Sequence, residues 1–385
     1  MNPNFDKIRC YNDEEVHDVL ERLCNEKQFM KIMSTVYPFL PKEMIKKRLL
    51  SIHTQLDFQK EIILPFVQYL VANVTTNGIA LYGLEKIMKE ETYLYLSNHR
   101  DIVSDPVFLC YKFLENGFDT VEVAIGDNLL IYPWIEDLVR LNKSFIVKRG
   151  LTTHQMLESS KLLSEYIWYT LHEKKHSIWM AQREGRAKDS NDKTQESLLK
   201  MLNLAGKGSF IENMMELNIC PLSISYEYDP CDYLKAKEFQ LRRDSDYKKQ
   251  PADDIENMVT GILGFKGKVV FHLTGCINED LKKMENKVSN RNQQVEQVAQ
   301  LIDRQIYSHY AIFSNNKIAY DALTGENRFA TDYSEIERID FEQYLLKQIS
   351  KIQIENKDEN FLRAKMLEMY AYPLINYLKA IGEDN

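Results

Sequence analysis

The middle of the chain alternates short apolar runs with longer segments in which apolar residues recur at helical spacing. The short runs predict strands and the longer segments predict helices. Strands that alternate with helices are typical of an α/β layer with largely parallel strands, and such sheets bind ligands outside the carboxyl ends of the strands. Functional residues are therefore expected to follow strands. The predicted strands are residues 93–97, 120–125, 144–148, 177–181, 220–226 and 268–274, and the predicted helices lie around 105–115, 129–140, 152–172 and 195–216.

Helical periodicity takes over on either side of this region. Residues 12–80 include a dense apolar helix at Phe58–Val74, and residues 276–385 are again periodic. Charged stretches at 281–294 and 351–360 are typical of solvated faces or linkers. The predicted fold class is α/β, with a mixed, largely parallel sheet flanked by helices and with N-terminal and C-terminal helical extensions. The predicted regions are 1–80 (helical), 81–275 (α/β domain) and 276–385 (helical).

The charge balance restricts the classes of partner. The 385 residues include 49 Lys and Arg against 57 Asp and Glu, which gives a formal net charge of −8. Because a general nucleic-acid binder neutralises phosphates with a cationic surface, that class is excluded, and any anion site must be local. The six cysteines contain no C-x-x-C pair. This spacing predicts buried thiols in a reducing cytosol rather than a zinc ribbon or a redox motif.

Neither a secretory signal nor a transmembrane helix is predicted. The first ten residues lack an apolar segment of the kind that a signal peptide needs. The longest uncharged stretch, Ile62–Leu84, is interrupted by polar residues and leaves only about a dozen mainly apolar ones, where a span needs about 20. The chain is therefore expected to be cytoplasmic.

A histidine and two carboxylates follow the first predicted strand. His99 comes two residues after the strand ends at Ser97, and Asp101 and Asp105 lie within the next six positions. A carboxylate can hold one imidazole nitrogen protonated while the other nitrogen accepts a proton, so this segment can supply a general base and its orienting acid. The alternative is an ordinary cap at the start of the next helix.

Basic residues follow the same and other strand ends, despite the acidic total. Converging arginines suit bidentate binding of a phosphate, and Gly185 among them permits a close approach of the backbone. Taken separately, each cation is more typical of a solvated surface than of a phosphate site. The six cations that the sheet is expected to bring to one edge are Arg100, Lys148, Arg149, Arg183, Arg186 and Lys188.

These residues resemble the glycerophosphate acyltransferases, a family that includes lysophosphatidate and glycerol-3-phosphate acyltransferases. Four family blocks occur in order over roughly half of the chain. The N-H-x-x-x-x-D block resembles the segment from Asn98-His99 to Asp105, and an aliphatic strand that ends in a basic residue resembles Ser144–Arg149. The Phe-Pro-Glu-Gly-Thr-Arg block is similar to 182–186, and a proline-containing apolar run is similar to 219–226.

Two departures from the family pattern bear on the site. The family's acid lies five positions after the histidine, where this chain has Ser104, with Asp105 six positions on and Asp101 two positions on. Asp105 is preferred to Asp101, which could instead cap the following helix. The third block also lacks Thr after Gly185 and has Arg183 in place of Pro.

The resemblance implies transfer of a fatty acyl group from acyl-coenzyme A or acyl carrier protein to a hydroxyl of a glycerophosphate-type acceptor, in phospholipid synthesis. It implies His99 as general base with Asp105 as partner, and no metal or cofactor. Arg149, Glu184, Gly185 and Arg186 would position the acceptor phosphate. Glycerol 3-phosphate and lysophosphatidate both remain open, although by analogy the long flanking helical regions favour the larger glycerol-3-phosphate enzymes. The alternative is a noncatalytic protein that binds lipid or acyl carrier on the same scaffold.

Lipid acceptors and products reside in bilayers, so peripheral attachment to the cytoplasmic face of a membrane is expected. The candidate elements are the Phe58–Val74 helix and the aromatic C-terminal helix around 366–378. Their alternative interpretation, as core helices, is the more common one. The pattern leaves the oligomeric state open.

Other motifs match known catalytic or binding signatures incompletely. The H-E-x-x-H segment His172–His176 matches a zinc-protease pattern, but it lies at a helix end and lacks the continuation of that motif. His99-Arg100-Asp101 resembles a kinase catalytic loop without its downstream Asn or D-F-G, and Gly206-Lys207 lacks the upstream glycine of a phosphate-binding loop.

Overall fold

One seven-stranded sheet organises the chain, whose computed structural model describes residues 2–285 and 290–383. The strand order is β1-β7-β6-β2-β5-β3-β4. Strands β2 to β6 are parallel to one another, whereas β1 and β7 are parallel to each other and antiparallel to the rest. The strands are β1 (Thr75–Tyr82), β2 (Leu94–Ser97), β3 (Glu122–Gly126), β4 (Ser144–Val147), β5 (Ile178–Ala181), β6 (Ile219–Tyr226) and β7 (Gly267–Leu273).

The predicted fold class is confirmed, and the six predicted strands are present within two residues of their predicted bounds. Strand β1 was missed, since its first half reads as a turn. Asn77 and Gly78 both have positive φ, and the register with β7 shifts between Thr75 and Ile79. The polar T-T-N-G segment is therefore an irregularity within an edge strand. It lies in the region that the sequence analysis assigned to helices.

Helices cover both faces of the sheet and form both ends of the chain. They are α1 (Val16–Asn25), α2 (Lys27–Val36), α3 (Lys42–Leu50), α4 (Gln55–Phe58), α5 (Leu64–Val74), α6 (Ser104–Glu115), α7 (Pro133–Leu141), α8 (Thr153–His172), α9 (Glu196–Leu202), α10 (Phe210–Glu216), α11 (Asp232–Asp244), α12 (Pro251–Leu263), α13 (Asn278–Glu285), α14 (Arg291–Tyr307), α15 (Ser314–Thr324), α16 (Glu335–Ser350) and α17 (Glu359–Ile381). The helix predicted at 195–216 is interrupted by a 3₁₀ turn, and α11 and α12 were not predicted.

Two hydrophobic cores lie on opposite faces of the sheet. Helices α5 and α6 pack on one face, which we call the α5–α6 face, and helices α8, α9, α10 and α14 pack on the other, the α8–α9 face. Because side chains alternate along a strand, neighbours on one strand belong to different cores. Trp179 of β5 packs with the α5–α6 core, and the adjacent Met180 packs with the α8–α9 core.

The two helices proposed for membrane contact are largely core helices. The Phe58–Val74 segment contains a π turn at Gln59–Ile63, and Val67, Leu70, Val71 and Val74 of α5 are buried. Most apolar side chains of α17 are buried, and they pack against α15, α11 and α16. Within the described residues, no helix is long and apolar enough to cross a membrane.

The remaining predictions concern charged stretches and cysteines. Residues 351–358 of one charged stretch connect α16 to α17, and residues 359–360 begin α17. Residues 286–289 of the other charged stretch lie outside the described residues. All six cysteines are free thiols; four of them are buried, as predicted, whereas Cys110 and Cys276 are partly exposed.

Candidate active site

A buried asparagine holds the loop that follows β2. The side chain of Asn98 donates to the carbonyl oxygen of Ile224 and accepts from the Ile224 backbone amide, both at 2.8 Å. This pair of hydrogen bonds fixes the end of β2 to its neighbour β6, which is parallel to it. The next residue, His99, therefore starts from a rigid point at the carboxyl ends of two strands.

His99 contacts Asp105 directly. Its Nδ1 lies 2.7 Å from Oδ2 of Asp105, a fully buried residue in the first turn of α6. The same oxygen accepts from the backbone amides of Arg100 and Asp101, at 2.7 and 3.0 Å, and the other oxygen accepts from the hydroxyl of Tyr226 at 2.7 Å. An ionised Asp105 can only accept hydrogen bonds, so it holds the proton on Nδ1 and leaves Nε2 as the basic nitrogen of His99.

The side chain of Asp101 binds the start of α6 rather than His99. Its Oδ1 accepts from the backbone amides of Val103 and Ser104, at 3.0 and 2.6 Å, at the start of α6. Its Oδ2 faces α12, where a Cβ on Gly261 would lie only 2.0 Å away. Asp101 thus caps α6 and packs against α12, and it is Asp105 that reaches the histidine across a turn of six positions.

Trp179 supports the other side of the imidazole. The two rings meet edge to face with 5.4 Å between their centroids, and the indole N–H donates to Oγ of Ser97 at 3.1 Å. The His99 side chain is 13% exposed, so it is held on two sides and still reaches open space. This arrangement suits a general base, which needs a fixed ring and one accessible nitrogen.

A cavity of about 760 Å³ opens beside His99. All four residues proposed to position a phosphate, namely Arg149, Glu184, Gly185 and Arg186, line this cavity. Its walls are otherwise mainly apolar, which is the usual composition of a small-molecule site. The structure therefore brings the histidine and the proposed anion contacts together at one edge of the sheet.

Two of the six predicted cations lie elsewhere. Arg100 is buried and pairs with the buried Asp192, and Lys188 pairs with Glu238. Both are neutralised by carboxylates that the sequence pattern did not link to them. The cations that line the cavity are Lys148, Arg149, Arg183, Arg186 and the unpredicted Lys249.

The cavity arginines carry N–H groups without a partner among the described residues. These groups are Nε of Arg149, Nε of Arg183 and Nη1 of Arg186. A buried donor without an acceptor is costly, and several in one cavity indicate space for an anion that would accept from them. Glu184 lies 3.7 Å from Nε of Arg149, close enough to orient the guanidinium but beyond hydrogen-bond distance.

Glycines at two points shape this anion region. A Cβ on Gly126, at the end of β3, would lie 2.5 Å from Nε of Arg149, so the arginine needs a glycine there. Gly185 has a φ of +66° and open space around the position of a Cβ. Its glycine is therefore required by the left-handed backbone conformation, whereas the sequence analysis assigned it to close backbone approach.

Three further residues at the site were missed by sequence reasoning. Tyr226 donates to Asp105, and burial, with the nearby carboxylate as a second cause, raises its pKa well above the usual value, so the hydroxyl stays protonated. Asn257 of α12 accepts from Nη2 of Arg186 at 3.0 Å, and Lys249 lines the cavity. Tyr226 stands at the end of a predicted strand, and that position could have marked it as a site residue. Asn257 and Lys249 belong to a segment in which no strand was predicted.

Comparison with known proteins bears on this site directly. Residues 78–226 match the Acyltransferase family model, and the matched segment runs from β1 to the end of β6. The chain carries an acyltransferase domain. This domain implies transferase activity, confirms the resemblance to acyltransferases, and includes both His99 and Tyr226. Helix α12, with Asn257, follows the matched segment.

Two other comparisons complete the findings. The crystal structure of the 1-acyl-sn-glycerophosphate (LPA) acyltransferase PlsC from Thermotoga maritima matches with 11% sequence identity and a TM-score of 0.35. The match covers 76% of this chain and 93% of that chain. No curated protein matches this chain.

The H-E-x-x-H segment lies at the end of α8, away from this cavity. The ring nitrogens of His172 lie 3.0 and 3.1 Å from the carbonyl oxygens of Trp168 and Glu216. The nearest acidic groups to His176 belong to Asp119 and Glu122. Within the part of the chain that the structure describes, no cluster of His, Cys, Asp or Glu could hold a metal ion.

Proposed function

We propose that the acyltransferase domain transfers a fatty acyl group from a thioester on coenzyme A or acyl carrier protein to a hydroxyl of a glycerophosphate-type acceptor, in phospholipid synthesis. The observation that carries this proposal is the His99–Asp105 pair beside a cavity that combines unpartnered arginine N–H groups with apolar walls. The unpartnered arginine N–H groups suit the phosphate of the acceptor, and the apolar walls suit an acyl chain.

His99 acts as the general base. Its Nε2 takes the proton of the acceptor hydroxyl while the oxygen attacks the thioester carbonyl, which forms a C–O bond. The C–S bond then breaks, and the proton passes to the leaving thiolate. Asp105 stabilises the imidazolium that forms between these two steps. General base catalysis of this kind contributes about 10²- to 10⁴-fold to the rate.

The cations of the cavity position the acceptor. Arg149, Arg183 and Arg186 offer N–H groups to phosphate oxygens, and Glu184, 3.7 Å from Nε of Arg149, orients that guanidinium. Holding the phosphate fixes the distance from the acceptor hydroxyl to His99, which converts binding energy into orientation.

A direct test measures thiol release from acyl-coenzyme A and acyl carrier protein thioesters, with glycerol 3-phosphate and lysophosphatidate as acceptors. We expect acceptor-dependent release, and we expect His99→Ala to reduce it by at least about a hundredfold while the fold is retained. Turnover by His99→Ala at the wild-type rate would remove the proposed base. Saturable lipid binding without thiol release from either donor would instead favour a noncatalytic lipid-binding protein.

We also propose peripheral attachment to the cytoplasmic face of a membrane, through α12 rather than through the two helices suggested by the sequence. Apolar side chains at helical spacing on α12 and just after it are exposed: Val259 by 51%, Leu263 by 61% and Phe265 by 52%. Ile262 of the same helix lines the cavity, so the apolar face adjoins the site. Cations at the cavity, such as Lys148, suit anionic headgroups.

Vesicle flotation tests this attachment. The wild-type chain is expected to float with anionic vesicles, and Leu263→Ser is expected to float less. Leu346→Ser is the matched control, because Leu346 is also 61% exposed but belongs to α16 of the C-terminal region. Equal flotation of the two variants would exclude α12 as the attachment surface.

A further inference from the structure

The sheet opens between two of its interior strands. Strands β3 and β5 pair only at Glu122 with Ile178 and at Val123 with Trp179. Beyond that point β5 continues to pair with β2, as far as Ala181, and β3 continues to pair with β4, as far as Gly126. The two strands therefore diverge toward their carboxyl ends and leave a gap at the edge of the sheet where His99 lies.

The cavity occupies this gap. Residues that line it include Ala124, Ile125 and Gly126 on the β3 side, and Met180 and Ala181 on the β5 side. In a continuous sheet these residues would face each other through backbone hydrogen bonds. Here they border open space that connects the two faces of the sheet.

On the α5–α6 face the cavity continues as an apolar arm. Val67 of α5, Val107 and Cys110 of α6, and Val123 of β3 line it, and all four belong to or pack against the core of that face. We call this the α6 arm.

On the opposite face a second apolar arm is lined by another set of residues. Met180 of β5, Leu163 of α8, and Leu198 and Met201 of α9 belong to or pack against the α8–α9 core. Ser160 of α8 lines the same arm. We call this the α8 arm.

The charged groups stand where the arms meet. Arg149 follows β4 and packs against Gly126 at the end of β3, while Arg183 follows β5. These arginines therefore flank the gap at the ends of the two diverging strands. Trp179, whose ring contacts His99, and Met180 are adjacent residues of β5 that face the two arms.

We propose that the two arms hold two alkyl chains at once, one from the acyl donor and one carried by the acceptor. The inference rests on the proposed function and narrows its acceptor to a lysophospholipid-type molecule with a phosphate near the gap. Glycerol 3-phosphate has no alkyl chain and would leave one apolar arm unfilled, so that arm would contribute nothing to binding. This acceptor class is opposite to the one that the flanking helical regions favoured by analogy.

The reaction follows from this placement. The hydroxyl of the one-chain acceptor attacks the donor thioester carbonyl at the junction of the arms, the C–O bond forms, and the C–S bond breaks. The proton moves through His99 to the departing thiolate. The product is a two-chain phospholipid whose chains occupy both arms.

The first experiment compares acceptors with the wild-type chain and needs no variant. Thiol release is measured with lysophosphatidate and with glycerol 3-phosphate under the same acyl-coenzyme A and acyl carrier protein donors. We expect kcat/KM for lysophosphatidate to exceed that for glycerol 3-phosphate by at least about tenfold, since one buried apolar chain contributes more than that factor. Equal or better use of glycerol 3-phosphate would overturn the inference and leave the proposed function intact. Absence of thiol release with every pair would instead end the proposed function.

The second experiment fills one arm at a time. Cys110→Phe narrows the α6 arm and Ser160→Phe narrows the α8 arm, with Cys110→Ala and Ser160→Ala as controls that add no bulk. Each Phe variant is compared with wild type for long and short donor chains and for long and short acceptor chains. We expect one variant to lose long donors and the other to lose long acceptors, each by about tenfold in kcat/KM. Loss of the same substrate's long chains in both variants would mean that one chain spans both arms and would overturn the inference.

Discussion

The two edges of the sheet each hold a histidine beside a buried carboxylate, and only one of them forms a candidate active site. At the carboxyl ends of the parallel strands His99 meets Asp105, and at the amino ends His176 lies near Glu122, the first residue of β3. Both carboxylates are fully buried. In residue types the two clusters are nearly equivalent, so the difference between them lies in their contacts.

At the amino-end edge the carboxylate is satisfied by other groups. Glu122 accepts from the hydroxyl of Tyr166 and from Nζ of Lys174, both at 2.6 Å, while the His176 ring stays 3.9 Å away. Lys143 pairs with Asp119 in the same cluster. Lys174 and Lys143 are thus paired with carboxylates of the chain, and we assign this cluster a structural role.

At the carboxyl-end edge His99 itself contacts the carboxylate of Asp105. Several arginine N–H groups of the cavity remain without an acceptor among the described residues. A cavity adjoins His99, whereas His176 is not among its lining residues. A histidine with a carboxylate thus becomes a candidate catalytic pair only where unsatisfied cations and open space accompany it. The comparison can be tested by making the same chemical change at both edges.

The largest difference is expected from replacing each buried carboxylate by its amide. Asp105→Asn removes the charge that holds His99 in the Nδ1-protonated form and stabilises its imidazolium, so the rate of thiol release should fall by at least about a hundredfold. Glu122→Gln should leave the rate unchanged and lower the melting temperature, because it removes the partner of Lys174 from a buried network. Rates and melting curves are measured on both purified variants.

The opposite pattern would contradict the assignment of the two edges. Loss of activity in folded Glu122→Gln, together with full activity in Asp105→Asn, would place the chemistry at the amino ends of the strands. Comparable losses of thiol release in both variants would indicate that the carboxyl-end edge, with His99 and Asp105, has no special role in the reaction.

A smaller effect is expected from placing a new charge beside one cavity arginine. Asn257→Asp would give Arg186 a permanent carboxylate partner that competes with the acceptor phosphate. We expect the acceptor KM to rise about tenfold while kcat changes by less than about twofold. Asn257→Ala, which removes the partner without adding charge, should raise KM less. Equal KM values for the Asp and Ala variants would show that the charge at this position does not affect the acceptor.

Asp101→Asn should have a still smaller effect, although Asp101 is the carboxylate closest to His99 in the sequence. Its Oδ1 accepts the two amide hydrogen bonds at the start of α6, and an asparagine can accept both. We expect thiol release within about threefold of wild type, against the large loss for Asp105→Asn. Asp101→Ala, which removes the cap, should instead lower stability by about 1 kcal/mol. A larger loss of activity for Asp101→Asn than for Asp105→Asn would reverse the ranking of the two acids.

The parts of the site that the sequence predicts are those carried by local patterns. Apolar runs predict six of the seven strands, and the residues after them predict His99, Asp105 and the cations Arg149 and Arg186. Strand β1 was missed because Asn77 and Gly78 produce a turn signal inside an edge strand. Local patterns do not predict contacts between segments that are distant in the sequence.

Several features of the cavity depend on such distant segments. The gap between β3 and β5 arises from pairing that ends early, which the composition of neither strand reveals. The contact of Asn257 with Arg186 joins residues 71 positions apart, and Arg100 is removed from the cavity by Asp192, 92 positions away. These contacts are set by how the helices pack on the sheet, and the sequence holds no periodic signal for them.

The smallest expected effect is a change in the pH dependence of stability when His176 is replaced. Burial, and then the nearby cation of Lys143, lowers the pKa of His176 below its ordinary value of 6.5, so the folded chain favours the neutral ring. The unfolded chain binds this proton more readily, and stability is therefore lost as the pH falls below about 6.5. His176→Gln removes that contribution, so its melting temperature should approach or exceed that of wild type on going from pH 7.5 to pH 5.5. Thiol release by this variant at pH 7.5 should equal that of wild type. An activity loss there, with an unchanged pH dependence of melting, would mean that His176 serves the reaction and not the fold.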